Sequence, residues 1–270
     1  AVHNFGPHIW PHAEILPGRY PLFVFSHGFS DSAVQGGYLA EHLAAQGWIV
    51  AAADHHDPYL RFRIHGGRIM HPNRRGIREA VQEIAGSTPA DRGRYAYRMD
   101  EMTDALHGVL TSEPFASSIS EDKIAVGGHS FGGFTALGLC GAIPERFDPR
   151  IRAAVLLSSN SAGLLYTPRE KSLVRMPVML CIGENERNNL LGSRRVAEWA
   201  SAIFTDLPSA KYFLEIKGAT HASFSAGCED ASDSKSAQAV ARRHKVISGY
   251  VSAFVHAHVL GSPQAKEHLQ

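Results

Sequence analysis

The residues whose types and spacing could support covalent chemistry gather first at 123–140, KIAVGGHSFGGFTALGLC. Within it, Gly128-His129-Ser130-Phe131-Gly132 matches G-x-S-x-G, a serine held at a sharp strand-to-helix turn. Small residues two before and two after the serine let the strand and the helix approach each other. The turn lifts the Ser130 hydroxyl above the sheet end. It also aims the Phe131 backbone N–H at an anion forming beside the serine, at a helix start whose dipole favours negative charge. The chemistry is nucleophilic acyl transfer, through an acyl-enzyme that water resolves. Context separates this motif from a glycine-rich turn with an idle serine. Ile124-Ala125-Val126 leads in as a strand, and Phe134, Leu137 and Leu139 continue at helical spacing.

A serine hydroxyl is a weak nucleophile and needs a base. His221 stands five residues beyond Ile216, at the end of the apolar run KYFLEI (211–216), and Gly218 and Ala219 keep that turn compact. His27, His55 and His56 come before Ser130 in the chain. The base in turn needs a carboxylate that holds its tautomer and stabilises the imidazolium. PVMLCI (177–182), the preceding apolar run, is followed by Gly183-Glu184-Asn185-Glu186. Both glutamates compete for the role. An acid three residues after the glycine selects Glu186, with Glu184 the runner-up. Asp54 falls out of the order serine, acid, histidine.

A sheet must position these groups. PLFVFS (21–26), WIVAAA (48–53), IRAAVLL (151–157) and the runs already named read as strands buried on both faces. Helical spacing at 33–46, 95–110, 194–204 and 236–260 alternates with them. The expected fold is α/β, a mostly parallel central sheet with helices on both faces, in one domain spanning 1–270. In such an architecture the loop after the first strand, His27-Gly28-Phe29-Ser30, supplies the second oxyanion donor, the Phe29 N–H. Phe29, Phe131 and His129 are the expected substrate-binding side chains. Asp54-His55-His56-Asp57 reads as a polar strand end facing the cleft, because four adjacent extended residues point in alternating directions and make a poor metal cluster. The long basic excursion at 58–92 is expected to border the site mouth, with a short helix near 74–84.

Composition narrows the classes. Of 270 residues 44% are apolar and 20% charged, which suits a folded enzyme, and 27 basic against 26 acidic residues give nothing to draw in nucleic acid. No apolar run is long enough to span a membrane. Cys140 and Cys181 read as buried core thiols, and Cys228 has no later cysteine to bond. His3, His8 and His12 read as a surface lead-in. No metal or other cofactor is expected. The start at Ala1 fits a mature secreted form or a trimmed chain, which the sequence leaves open.

SHGFS (26–30), WIVAAADHHD (48–57) and GHSFGG (128–133) resemble the platelet-activating-factor acetylhydrolase and dienelactone-hydrolase-like group of the α/β-hydrolase superfamily. PVMLCIGENE (177–186) and FLEIKGATH (213–221) resemble polyester hydrolases of the cutinase and PET-hydrolase type, where Glu186 falls on a position usually held by aspartate. The acetylhydrolase group places its acid just after the strand that follows the elbow. Here that exit is Ser158-Ser159-Asn160, without a carboxylate, which favours the cutinase-like position. The excursion at 58–92 is longer than polyester hydrolases carry there. The resemblance implies a serine esterase acting on small or medium acyl esters, aromatic or polyester-like ones included. An amidase or other acyl transferase on the same triad, and an inactive hydrolase fold used for binding, stay as alternatives. The cutinase-like resemblance favours a secreted or periplasmic setting over a cytoplasmic one, against the lean of three unpairable cysteines. The expected partner is a small-molecule or polymeric ester. Oligomeric state is not legible.

Overall fold

A computed structural model describes residues 14–58, 63–65, 68–70, 74–159, 161–186, 196–208, 210–226 and 233–269. Its strands are β1 (Tyr20–Ser26), β2 (Ile49–Ala53), β3 (Arg63–His65), β4 (Arg68–Met70), β5 (Ile119–His129), β6 (Ile151–Leu157), β7 (Val178–Gly183) and β8 (Lys211–Ile216). Six of them form one sheet in the order β2-β1-β5-β6-β7-β8, and every pairing in it is parallel. Among the described residues the one antiparallel pairing, β3 with β4, forms a separate two-stranded sheet inside the 58–92 excursion. Strand β5 begins at Ile119, earlier than its apolar pattern suggests, because exposed residues 121–123 interrupt the buried run.

Between and after the strands come α1 (Gly37–Ala44), α2 (Arg74–Gly86), α3 (Tyr97–Thr111), α4 (Phe115–Ser118), α5 (Gly132–Leu137), α6 (Ser161–Leu165), α7 (Pro168–Lys171), α8 (Val196–Asp206), α9 (Ser234–His258) and α10 (Pro263–His268). Helix α9 starts two residues earlier than its apolar spacing indicates. The reason is Asp233, whose carboxylate caps the Lys235 and Ser236 amides at 2.8 and 2.9 Å.

Strand period and helix faces agree. Leu22 and Val24 of β1 join a core with Met99, Met102 and Leu106 of α3 and Phe134 and Leu137 of α5. Phe23 and Phe25, the alternate residues, join the opposite core with Leu39 and Leu43 of α1 and Val251 and Phe254 of α9. The same split runs through β7, with Val178, Leu180 and Ile182 on one face and Met179 and Cys181 on the other. Each such side chain buried contributes about 1.5–3 kcal/mol, so the double-sided pattern is what clamps the sheet between two helix layers. Cys140 and Cys181 are buried free thiols, as expected, and burial pushes the Cys181 thiol up to about 12. Cys228 and the N-terminal histidines lie outside the described residues. No helix among the described residues is long and apolar enough to cross a membrane.

From β1 the chain steps outward to β2. It then returns through β5 on the other side of β1, and later strands proceed away from it. Adjacent parallel strands whose connections depart in opposite directions leave a crevice outside their carboxyl ends. Ser26 of β1 is in register with Gly128 of β5, so the elbow opens into that crevice.

Candidate active site

Ser130 sits at the turn between β5 and α5 in a left-handed conformation, φ 53°. The conformation is strained for a residue with a Cβ, and the surroundings enforce it. The Ser130 amide donates to the Leu157 carbonyl at 2.8 Å, and Ser159 Oγ donates to the Ser130 carbonyl at 2.5 Å. The glycines have the steric role their spacing implies. A Cβ on Gly128 would lie 2.2 Å from the backbone of Gly132, and one on Gly132 would lie 2.0 Å from the Ser26 carbonyl oxygen. Gly133, outside the motif, is equally constrained: a Cβ there would lie 1.7 Å from Ser159 Oγ.

The exits of β7 and β8 are laced together. Glu184 and Asn185 donate their amides to the carbonyls of Ile216 and Ala219, at 3.0 and 2.9 Å. Gly183 is obligatory there, since a Cβ would meet the Ala219 oxygen at 2.4 Å. This lacing separates the two glutamates. Glu184 is exposed and its carboxylate accepts the Gly218 amide at 2.8 Å. Glu186 is buried, accepts the Gly183 amide on Oε1 at 2.7 Å, and carries Oε2 to 3.7 Å from His221 Nδ1. Ser158 stands in that gap. Its hydroxyl donates to Glu186 Oε2 and lies 2.5 Å from His221 Nδ1. Ser158 is a site residue that sequence reasoning missed. The signal was present in an exit loop without a carboxylate, but a serine there has no distinguishing pattern.

The loop after β1 packs against the elbow, because a Cβ on Gly28 would sit 3.2 Å from Ser130 Cβ. The amides on either side of Phe29 are committed, Gly28 to Gln35 Oε1 at 2.7 Å and Ser30 to Asp57 Oδ2 at 2.8 Å. Behind the loop lies a buried polar network. Arg98, fully buried, donates to the His27 carbonyl at 2.8 Å and pairs with Asp57 at 3.3 Å, and Tyr97 OH donates to Asp57 at 2.7 Å. Burial, then Arg98, lowers His27 to about 3, so it is neutral. Its Nε2 accepts the His55 amide at 2.9 Å, which leaves Nδ1–H to donate to the Gly28 carbonyl at 2.6 Å. His55 is also lowered by burial and Arg98. Its ring joins Ser26 Oγ to Glu101 Oε2 at 2.8 Å on each side, a second serine–histidine–carboxylate chain. Ser26 and His55 are wholly buried. The 54–57 stretch does alternate, with Asp54 and His56 exposed and His55 and Asp57 buried. The expectation that it faces the cleft is corrected, since its buried half points into this network. Among the described residues no cluster of His, Cys, Asp or Glu is placed to hold a metal ion.

A cleft of about 440 Å³ runs over the elbow, and Phe29, Ile77, His129, Ser130 and His221 are among the residues lining it. Ile77 belongs to α2, so the excursion does reach the site mouth. Phe131 does not line the cleft as expected. Its side chain is buried, edge-on to Phe29 and beneath Arg98, whose guanidinium carbon lies 5.0 Å from the ring centre. His129 lies beside His221, with ring centres 4.6 Å apart, and its Nε2–H donates to the His221 carbonyl at 3.2 Å. Burial, then His221, holds His129 well below the usual histidine range.

The parallel sheet, its helix layers and the elbow at its switch point give the chain an α/β-hydrolase fold. A ferulic acid esterase from Streptomyces cinnamoneus shares the fold, with a TM-score of 0.66 at 24% identity over 93% of this chain and 71% of that one. In sequence the chain is similar to platelet-activating factor acetylhydrolases. The family described as platelet-activating factor acetylhydrolase, isoform II, matches residues 7–60. The platelet-activating factor acetylhydrolase of Canis lupus familiaris is 29% identical over 167 residues, 52% of this chain, and that of Bos taurus is 28% identical over 180 residues, 57% of this chain. The matched stretches span only 35% and 38% of those two relatives.

Proposed function

We propose that the chain, read as one domain, is a serine-dependent carboxylic ester hydrolase. The observation that carries this reading is the meeting of the elbow serine and His221 in one cleft, with Glu186 buried behind the histidine. Ser130 attacks the ester carbonyl while His221 Nε2 takes its proton. The Phe29 and Phe131 amides stabilise the oxyanion, and the alcohol leaves with the proton that His221 returns. Water then releases the acid from Ser130 by the same steps. Glu186, through its buried carboxylate, keeps the imidazole proton on Nδ1 and stabilises the imidazolium. The cleft, walled by Phe29 and Ile77, suits small or medium acyl groups, aromatic ones included. The named activities of the relatives, an acetylhydrolase and a ferulic acid esterase, fall in that range.

The test is hydrolysis of p-nitrophenyl acetate, butyrate and decanoate and of a methyl ferulate ester. Ser130→Ala is expected to fall to background. Glu186→Gln should lose about 10²- to 10⁴-fold in kcat, as wrong-tautomer variants do, and Glu184→Gln should stay near wild type. Absence of turnover by the wild type on every ester would overturn the reading.

A further inference from the structure

We infer that Ser158 is the positioning residue through which Glu186 acts on His221. The inference rests on the proposed triad and adds a fourth member to it. The distances exclude a direct hydrogen bond, since 3.7 Å separates Glu186 Oε2 from His221 Nδ1 and a charge-assisted hydrogen bond spans about 2.7–2.9 Å. Ser158 Oγ lies within bonding distance of both.

The proton count then has one solution. A carboxylate only accepts, so the single Ser158 proton goes to Glu186 Oε2. The Ser158 oxygen therefore accepts the imidazole Nδ1–H, which leaves Nε2 bare toward the cleft and ready to take the Ser130 proton. When His221 becomes imidazolium, its charge meets a polarised hydroxyl backed by the buried carboxylate. The position is held for this purpose. Ser158 follows β6 with φ 48°, and its amide donates to the Cys181 carbonyl at 2.7 Å. Glu186 is fixed from its other side by the Gly183 amide.

That amide gives the inference a sharp consequence. In Glu186→Gln the Gly183 N–H demands the side-chain oxygen, so the glutamine NH₂ must face Ser158. The Ser158 oxygen then accepts from glutamine, and its proton turns to His221 Nδ1. The imidazole is driven into the Nε2–H tautomer, which cannot take the Ser130 proton. Removing the Ser158 hydroxyl removes this inversion.

The experiment compares wild type, Ser158→Gly, Glu186→Gln, the double variant of these two, and Ser158→Asp combined with Glu186→Gln. Glycine at 158 is chosen because it accepts the left-handed backbone without strain. Hydrolysis of p-nitrophenyl butyrate is followed over about pH 5 to 9 to read the acid limb of kcat/KM. Ser158→Gly should lower kcat about 10- to 100-fold, the loss expected for one hydrogen bond to a charged group, with KM little changed. Its acid limb should move to lower pH, because the imidazolium has lost its partner. Glu186→Gln should be markedly less harmful in the Ser158→Gly background than alone. Aspartate at 158, which tolerates the left-handed backbone, should restore much of the activity lost in Glu186→Gln by bonding Nδ1 itself. Nitrogen-15 NMR of the His221 ring reads the tautomer without any turnover: Nδ1–H in wild type, Nε2–H in Glu186→Gln. Wild-type kcat and acid limb in Ser158→Gly, or losses that multiply independently in the double variant, would overturn the inference while leaving the esterase reading intact. An inactive wild type with the stated tautomers would overturn the esterase reading and leave the Ser158 link standing.

Discussion

Gly132 passes so close to the Ser26 carbonyl that a Cβ on it would lie 2.0 Å from the oxygen. The contact joins the first turn of α5 to the end of β1, two segments about a hundred residues apart in the chain. It therefore sets how near the loop of the proposed Phe29 donor lies to Ser130. Gly132→Ala must push backbone against backbone, and a loss of more than about 3 kcal/mol, the upper end for overpacking, is expected. Gly249→Ala, in α9 where nothing lies within 4 Å of the new methyl, should instead stabilise by about 0.5–1 kcal/mol. Urea denaturation of both variants checks the pair; equal effects would mean that the elbow's tightness is not steric.

Among the described residues, a buried serine–histidine–carboxylate chain accompanies the proposed catalytic one, and access distinguishes the two. Ser26, His55 and Glu101 are bonded at 2.8 Å on both sides of the imidazole, but the serine and histidine are wholly buried. Ser130 opens to the cleft. A fluorophosphonate probe should therefore label Ser130 and leave Ser26 untouched, as read by peptide mass mapping. Ser26→Ala should keep its labelling while losing about 1–3 kcal/mol of stability, because the His55 ring is left with an unsatisfied buried nitrogen. Label on Ser26 in the folded protein would sink this distinction.

The sheet and the elbow were legible because each rests on a local rule. Strands buried on both faces read as apolar runs, and G-x-S-x-G follows from sterics that the Gly128 and Gly132 contacts bear out. The choice of Glu186 over Glu184 as the residue near His221 was legible for the same reason, as a turn of fixed length after Gly183. Other features depend on distant contacts. Ser158 matters because β6 and β7 bring it between Glu186 and His221, which no spacing encodes. The inward turn of His55 depends on Glu101 arriving on α3, more than forty residues later. The ring of Phe131 is buried away from the cleft, which the motif cannot tell, because it speaks for the backbone and says nothing of the ring.

Acid should destabilise this fold earlier than carboxylate titration alone would. Burial holds His27 down at about 3, against an ordinary value of 6.5. Below pH 6.5 the unfolded chain takes up a proton that folded His27 refuses. Its contribution is thus fully present above that pH and drains away as pH falls toward 3. The slope is about 1.4 kcal/mol per pH unit for each such group. His55 and His129 are shifted in the same direction, by burial first. Glu170 and Asp148, held low against their burial by Arg92 and Arg150, act only below their ordinary values of 4.5 and 3.8. Urea midpoints at about pH 7.5, 6 and 5 should fall steadily. A flat profile over that span would show that these histidines charge without unfolding the protein.

The Arg98–Asp57 pair is where stability and catalysis should be lost together. Both side chains are fully buried, so neither charge can be answered by water if the other is removed. Asp57 tethers the Ser30 amide at 2.8 Å, one residue after the proposed Phe29 donor, and Arg98 holds the His27 carbonyl and covers the Phe131 ring. Breaking a buried ion pair from one side typically costs about 3–5 kcal/mol. Arg98→Met should do so and also lower kcat on p-nitrophenyl butyrate, because the loop carrying one proposed oxyanion donor loses its support. Adding Asp57→Asn should recover part of the stability, since asparagine keeps an oxygen for the Ser30 amide and leaves no bare charge. The double variant's urea midpoint and kcat decide the matter. Recovery of both ties the ion pair to the oxyanion loop; strictly additive losses would mean that Arg98 acts on the core alone.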